Sequence, residues 1–222
     1  MKSLEIETGF QELEALIVKI KNQNSRFRLN PCLSVQEIEC FEARHQLQLP
    51  YDYRRFLIEI GNGGSGPSLA GLLPFEPNNP YYQAEWAQPF IHPSNALVFA
   101  QQEIKSIHQI QRTSPKNIHS LCSDIDNLAA EMSERGYIEL GDYGCGIYDF
   151  LVVKGEEYGH VWWSDDIGDV FPALDKSLFT YSDVKEPNPK RQYLLSAEYH
   201  YRESFLDYYL RYLRGIAQYG GA

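Results

Sequence analysis

Cysteine is scarce: four in 222 residues, at positions 32, 40, 122 and 145, with no C-x-x-C pair among them. That excludes the disulfide lattice of a small secreted domain and removes the closely spaced thiols of a structural zinc site. The six histidines (45, 92, 108, 119, 160, 200) form no H-x-x-x-H and offer no substitute, so neither metal nor cofactor is expected. The thiols read as buried. Long apolar runs are also missing. Ala96 to Ala100 and Phe150 to Val153 fall far short of the roughly 18 residues a membrane span takes. The opening MKSLEIETGF carries acids where a secretory leader carries bases and an apolar stretch, so the expected location is the cytoplasm. Internal repeats are absent as well.

What is present describes one folded domain over residues 1–222: 43% apolar, 23% charged and 14% aromatic content exclude a disordered chain. The charge is lopsided. From Asp124 to Asp175 there are thirteen acids against two bases, Arg135 and Lys154, a net of −11 within a chain whose formal total is −10. A concentrated negative field repels phosphate backbones and speeds encounter with cations, which argues against a nucleic-acid ligand and for a basic protein. The alternative is a solvated face that only keeps the protein soluble.

Helical spacing marks Phe10, Leu13, Leu16, Ile17 and Ile20 as one apolar stripe. Ser34 and Glu37 form an S-x-x-E capping box ahead of Val35, Ile38 and Phe41. Leu49-Pro50 opens another helix with Pro50 at its first position and Tyr53, Phe56, Leu57 and Ile60 facing inward; Gly61-Asn62-Gly63-Gly64 ends it. Leu69 to Phe75 reads as a strand, Glu76 to Pro93 as a proline-rich loop, and Ser94 to Arg135 as mainly helical. Three β-like runs follow, Tyr137–Leu140, Ile147–Val153 and Tyr158–Trp163, as an antiparallel meander. Tyr201 to Ile216 closes the chain as a helix with Tyr209 inside. The order predicts an α+β fold: a mixed, mostly antiparallel central sheet flanked by N-terminal and C-terminal helices.

Several catalytic signatures fail on context. Gly61, Gly63 and Gly66 satisfy G-x-G-x-x-G but follow a helix, where a dinucleotide fingerprint follows a strand. Ser65 lacks the last glycine of G-x-S-x-G. Asp165, Asp166 and Asp169 spell D-D-x-x-D, but Gly168 interrupts the helical face that metal binding needs, and a loop fits better. His160 has the chemistry of a general base beside Asp142 or Asp165, and equally that of a hydrogen-bonded strand histidine.

Two groups of residues together resemble the SUKH superfamily, which includes fungal cell-wall glucan-synthesis regulators and many bacterial immunity proteins. The first is Ile38-x-x-Phe41, Leu49-Pro50-x-x-Tyr53-x-x-Phe56-Leu57, then Asn62-Gly63-Gly64 and Gly71-Leu72. The second is Ile138-x-Leu140-Gly141-Asp142, the turn at Gly144 and Gly146, Tyr158-Gly159-His160-Val161-Trp162, and a late Ser204-Phe205-x-x-Tyr208-Tyr209-Leu210. The resemblance covers residues 34–75 and 137–213 and leaves an insertion at about 76–135; Val152-Val153-Lys154 also stands where relatives often place an acid. It implies a non-catalytic binding module.

Charge and resemblance meet in one expectation. The chain is expected to be an immunity protein that neutralises a cognate toxin, a basic nuclease being the natural fit, through an acidic surface. The expected contacts are Asp142, Glu156, Glu157, Asp165, Asp166 and Asp169, with Trp162 or Trp163 as a rim anchor, and Tyr81 and Tyr82 as further interface residues on the proline-rich loop. The alternative from the same family is a regulatory scaffold that binds a cellular enzyme.

Overall fold

The computed structural model describes residues 2–79, 88–92, 95, 135–164, 170–172 and 202–219. Four helices and a four-stranded sheet are built from them: α1 (Lys2–Gln23), α2 (Val35–His45), α3 (Tyr51–Glu59), β1 (Tyr137–Gly144), β2 (Ile147–Val152), β3 (Val161–Ser164), β4 (Val170–Pro172) and α4 (Phe205–Tyr219). The fold is α+β, with helices flanking the sheet at both ends of the chain. The sheet runs in the order β1-β2-β3-β4 and every ladder is antiparallel. Among the described residues parallel pairing is confined to one bridge, Phe90 with Gly155.

Local chemistry sets the helix ends. Ser34 Oγ accepts the Glu37 N–H at 3.2 Å and the Glu37 carboxylate accepts the Ser34 N–H at 2.8 Å, closing the capping box. Pro50 is the N-cap of α3 and not its first residue, because its ψ of 136° is extended. After α3, Gly63 (φ 80°) and Gly64 (φ 117°) turn the chain back in a region that side chains avoid.

Two layers of core lie on the two faces of the sheet, because successive strand residues point to opposite sides. Ile138, Leu140, Leu151, Val153 and Val161 join the helices, where Phe10, Leu13, Ile38, Phe41, Phe56, Phe205, Tyr209 and Leu213 are buried. Phe205 meets Tyr53 and Phe56 edge-on, at ring distances of 4.7 and 5.0 Å. The opposite face carries Tyr137, Phe150, Val152 and Trp162 under Phe90.

The structure redraws several expectations. Leu69 to Phe75 is not a strand: residues 68–70 turn, Leu72 makes one bridge to Gly64, and the Leu73 N–H donates to the Leu140 carbonyl at 2.8 Å. β3 begins at Val161 because residues 156–159 are a turn. The closing helix runs Phe205–Tyr219, later than expected. Cys32, Cys40 and Cys145 are exposed and not buried; Cys40 lies outside the arc that buries Ile38 and Phe41, and Cys145 sits at a hairpin tip with φ 56°. Most of the insertion at 76–135, with its helical reading, lies outside the described residues.

Candidate protein-docking site

The expected acidic contacts that are described fall at opposite ends of β2. One end is the turn from Lys154 to His160, the other the β1–β2 hairpin around Asp142. Asp142 pairs with Tyr148 while Tyr137 pairs with Val152, which puts on the order of 15 Å between the ends.

At the turn end the carboxylates are engaged by the protein's own groups, Glu156 at the surface and Glu157 partly buried. Residues 88–92 pack along the turn: the Phe90 N–H donates to the Lys154 carbonyl (2.9 Å) and the Glu156 N–H to the Phe90 carbonyl (3.1 Å). Glu156 then accepts the His92 N–H at 2.7 Å and the Asn95 amide at 3.0 Å. Glu157, in a left-handed conformation (φ 60°), takes the Arg202 guanidinium in a two-pronged pair, with Nη2 donating to Oε1 at 2.9 Å and Nε to Oε2. His160 Nδ1 lies 3.2 Å from the same Oε2. Burial raises the Glu157 pKa, but the His160 hydrogen bond and the Arg202 charge outweigh it and bring it down to about 2.

Trp162, expected as a rim anchor, is wholly buried, and Trp163 is 8% exposed. Alternation does separate them onto two faces, but both faces are covered. Phe90 packs 5.2 Å from the Trp162 ring, His92 meets it edge-on at 5.4 Å, and the Arg202 guanidinium lies 5.7 Å away. The same burial pulls the His92 pKa down. Trp162 is therefore a packing residue.

The hairpin end differs. Asp142 is exposed, and its Oδ1 accepts the Gly144 N–H at 2.7 Å, fixing the carboxylate to its own turn. Beneath it Asp149, fully buried, accepts the hydroxyls of Tyr143 and Tyr208, each at 2.7 Å. Burial and then the Asp149 charge push both tyrosine pKa values up, so the hydroxyls stay protonated donors. Ser164 and Val170, ladder partners, stand at this same end, since Ser164 also pairs with Tyr148. The connection that leaves β3 and returns to β4 starts and finishes there; its residues, Asp165, Asp166 and Asp169, lie outside the described ones, as do Tyr81 and Tyr82.

The structure thus gathers Glu156, Glu157 and Trp162 at one end and separates Asp142 from them. Sequence reasoning missed Asp149, Arg202 and the cover formed by Phe90 and His92. Asp149 had a signal, because it shares its strand face with Leu151 and Val153. Arg202 had none, since its partner is 45 residues away.

Among the described residues no three histidine, cysteine, aspartate or glutamate side chains gather as a metal site, and no helix is long and apolar enough to cross a membrane. A cleft between Leu73–Glu76 and Tyr137–Glu139 has a volume of about 180 Å³. The chain matches no protein-family model, no curated protein and no solved structure.

Proposed function

We propose that the chain is a non-catalytic protein-binding module of the SUKH kind, an immunity protein that holds a basic toxin. The toxin docks on the hairpin end of the sheet. The observation that carries this is the position of Asp142: exposed, held by its own turn, and at the end where the strands flanking Asp165, Asp166 and Asp169 leave and return. Two helices, a glycine turn, a meander and a closing helix follow one another in the order the resemblance implies, which supports the family reading. The docking surface is narrower than composition suggested. Glu157 is paired with Arg202 within the fold, so the exposed carboxylates do the steering.

The test uses the product of a toxin gene adjoining this one. With Asp142, Asp165, Asp166 and Asp169 changed to lysine, association at low salt slows about tenfold or more, and the gap closes near 1 M salt as screening takes over. An unaltered association rate at low salt rejects the acidic-docking reading. A genome without such a neighbour counts against immunity.

A further inference from the structure

We propose that Leu69 is the apolar anchor of a surface that takes a basic protein partner, with Asp142 as its charged flank; this rests on the docking reading above and names a residue that reading lacks. Leu69 is 86% exposed, the most exposed large apolar side chain among the described residues. A lone surface leucine is ordinary. This one differs in how it is presented.

The turn that carries it is fixed to the edge of β1 on both sides of Leu69. Ser68, only 9% exposed, accepts the Asp142 N–H on its Oγ at 3.2 Å and donates from that oxygen to the Gly71 carbonyl at 2.5 Å. The Ala70 N–H donates to the Asp142 carbonyl at 3.3 Å and the Gly71 N–H to the Ser68 carbonyl at 3.0 Å. Gly71 has φ +83°, and a Cβ there would sit 2.3 Å from the Gly64 carbonyl oxygen, so only glycine closes the turn. An apolar side chain held this way loses little backbone freedom on binding, which is where loop-borne contacts usually lose affinity.

Residues 68–70 and the Asp142 backbone therefore form one hydrogen-bonded unit, and both Leu69 and Asp142 on it are exposed, one an apolar residue and the other an acid. The other exposed large apolar side chains among the described residues are elsewhere: Leu4 and Val18 on α1, Val35 on α2, Tyr51 on α3 and Tyr158 at the turn end. The complementary partner offers an apolar recess beside a lysine or arginine. A phosphate-bearing ligand is repelled by the carboxylate.

The experiment places the photo-crosslinker p-benzoylphenylalanine at position 69 of the full chain, or at position 18 as an exposed control on α1, in the cells that express it. Expected is a discrete adduct with a basic protein from position 69 and not from 18, lost when Asp142→Lys is added. That protein, purified, binds Leu69→Ala tenfold or more weakly than wild type, while the melting temperature is unchanged because the side chain touches little of its own fold. No adduct at 69, an adduct within the chain, or an adduct with a second copy overturns the proposal. Binding of Leu69→Ala within twofold of wild type, with Asp142→Lys still slow to associate, overturns the anchor and leaves the docking reading standing. The reverse pattern, with Leu69→Ala weak and Asp142→Lys neutral, removes the acidic-docking reading and with it the basic partner proposed here.

Discussion

Glu157 combines a left-handed backbone and a half-buried setting with the Arg202 guanidinium and the His160 ring as neighbours, and its titration follows from that company. Its folded pKa of about 2 lies below the ordinary value of 4.5. The stabilisation it brings is therefore complete above about pH 5 and is lost as pH falls from 4.5 towards 2. A depression of that size is worth at most about 3 kcal/mol, and solvent screening of the half-buried pair lowers it further. Urea midpoints of wild type and Glu157→Gln at pH 7, 4.5, 3 and 2 check this: the difference is largest at pH 7 and shrinks across the acid range, and a difference that stays constant contradicts it. Trp162 gives a second test at this scale. As a rim anchor it would lose binding and little stability on truncation. Buried under Phe90 and His92, Trp162→Ala instead costs about 3–5 kcal/mol in denaturant titration. The residue types here were visible in the sequence, but their exposure was not. Glu156 and Trp162 took their roles from a segment more than 60 residues upstream, and no local pattern encodes that.

At the scale of elements, α4 shows how a helix is held by side chains from distant parts of the chain. Asp52, on α3, accepts the Leu206 N–H at 2.9 Å in a buried setting, and Ser204 Oγ accepts the Asp207 N–H at 3.2 Å. Further along, the Tyr208 hydroxyl reaches Asp149 and the Tyr209 hydroxyl donates to the Ser65 carbonyl at 2.8 Å. Asp52→Ala leaves the Leu206 amide buried and without its acceptor, a loss of about 1–3 kcal/mol. Hydrogen exchange should show faster exchange at that amide in the variant; equal protection in both proteins argues that another acceptor takes over. Signals confined to a few residues were legible here, such as the Ser34/Glu37 capping box and the apolar stripes of α1 and α4, because i to i+3 and i to i+4 contacts are written in the sequence itself. Leu69 to Phe75 misled, because its apolar content suits a strand while Gly71, with its positive φ, makes it a turn pinned to β1.

Taken as a whole molecule, the protein has a sheet covered on both faces, and the cover on the second face decides what the long insertion does. The net charge of −11 between residues 124 and 175 was readable from composition; the separation of Asp142 from Glu156 and Glu157 along β2 depends on strand register and was not. The same holds for Phe90. It lies within the stretch that resembles no family pattern, yet it is fully buried against Phe150 and Trp162 and its backbone pairs with the 154–156 turn. An appendage can be cut away without harm to a core, whereas removal of this segment exposes Phe150, Val152 and Trp162 together. Replacing residues 76–135 by a short glycine-serine linker should therefore give a chain that binds the dye ANS and loses its cooperative melt. Phe90→Ala is the milder form: a loss of about 3–5 kcal/mol with the melt still cooperative. If the linker protein melts cooperatively at the wild-type temperature, Phe90 merely rests on the sheet and the second face is stable without it.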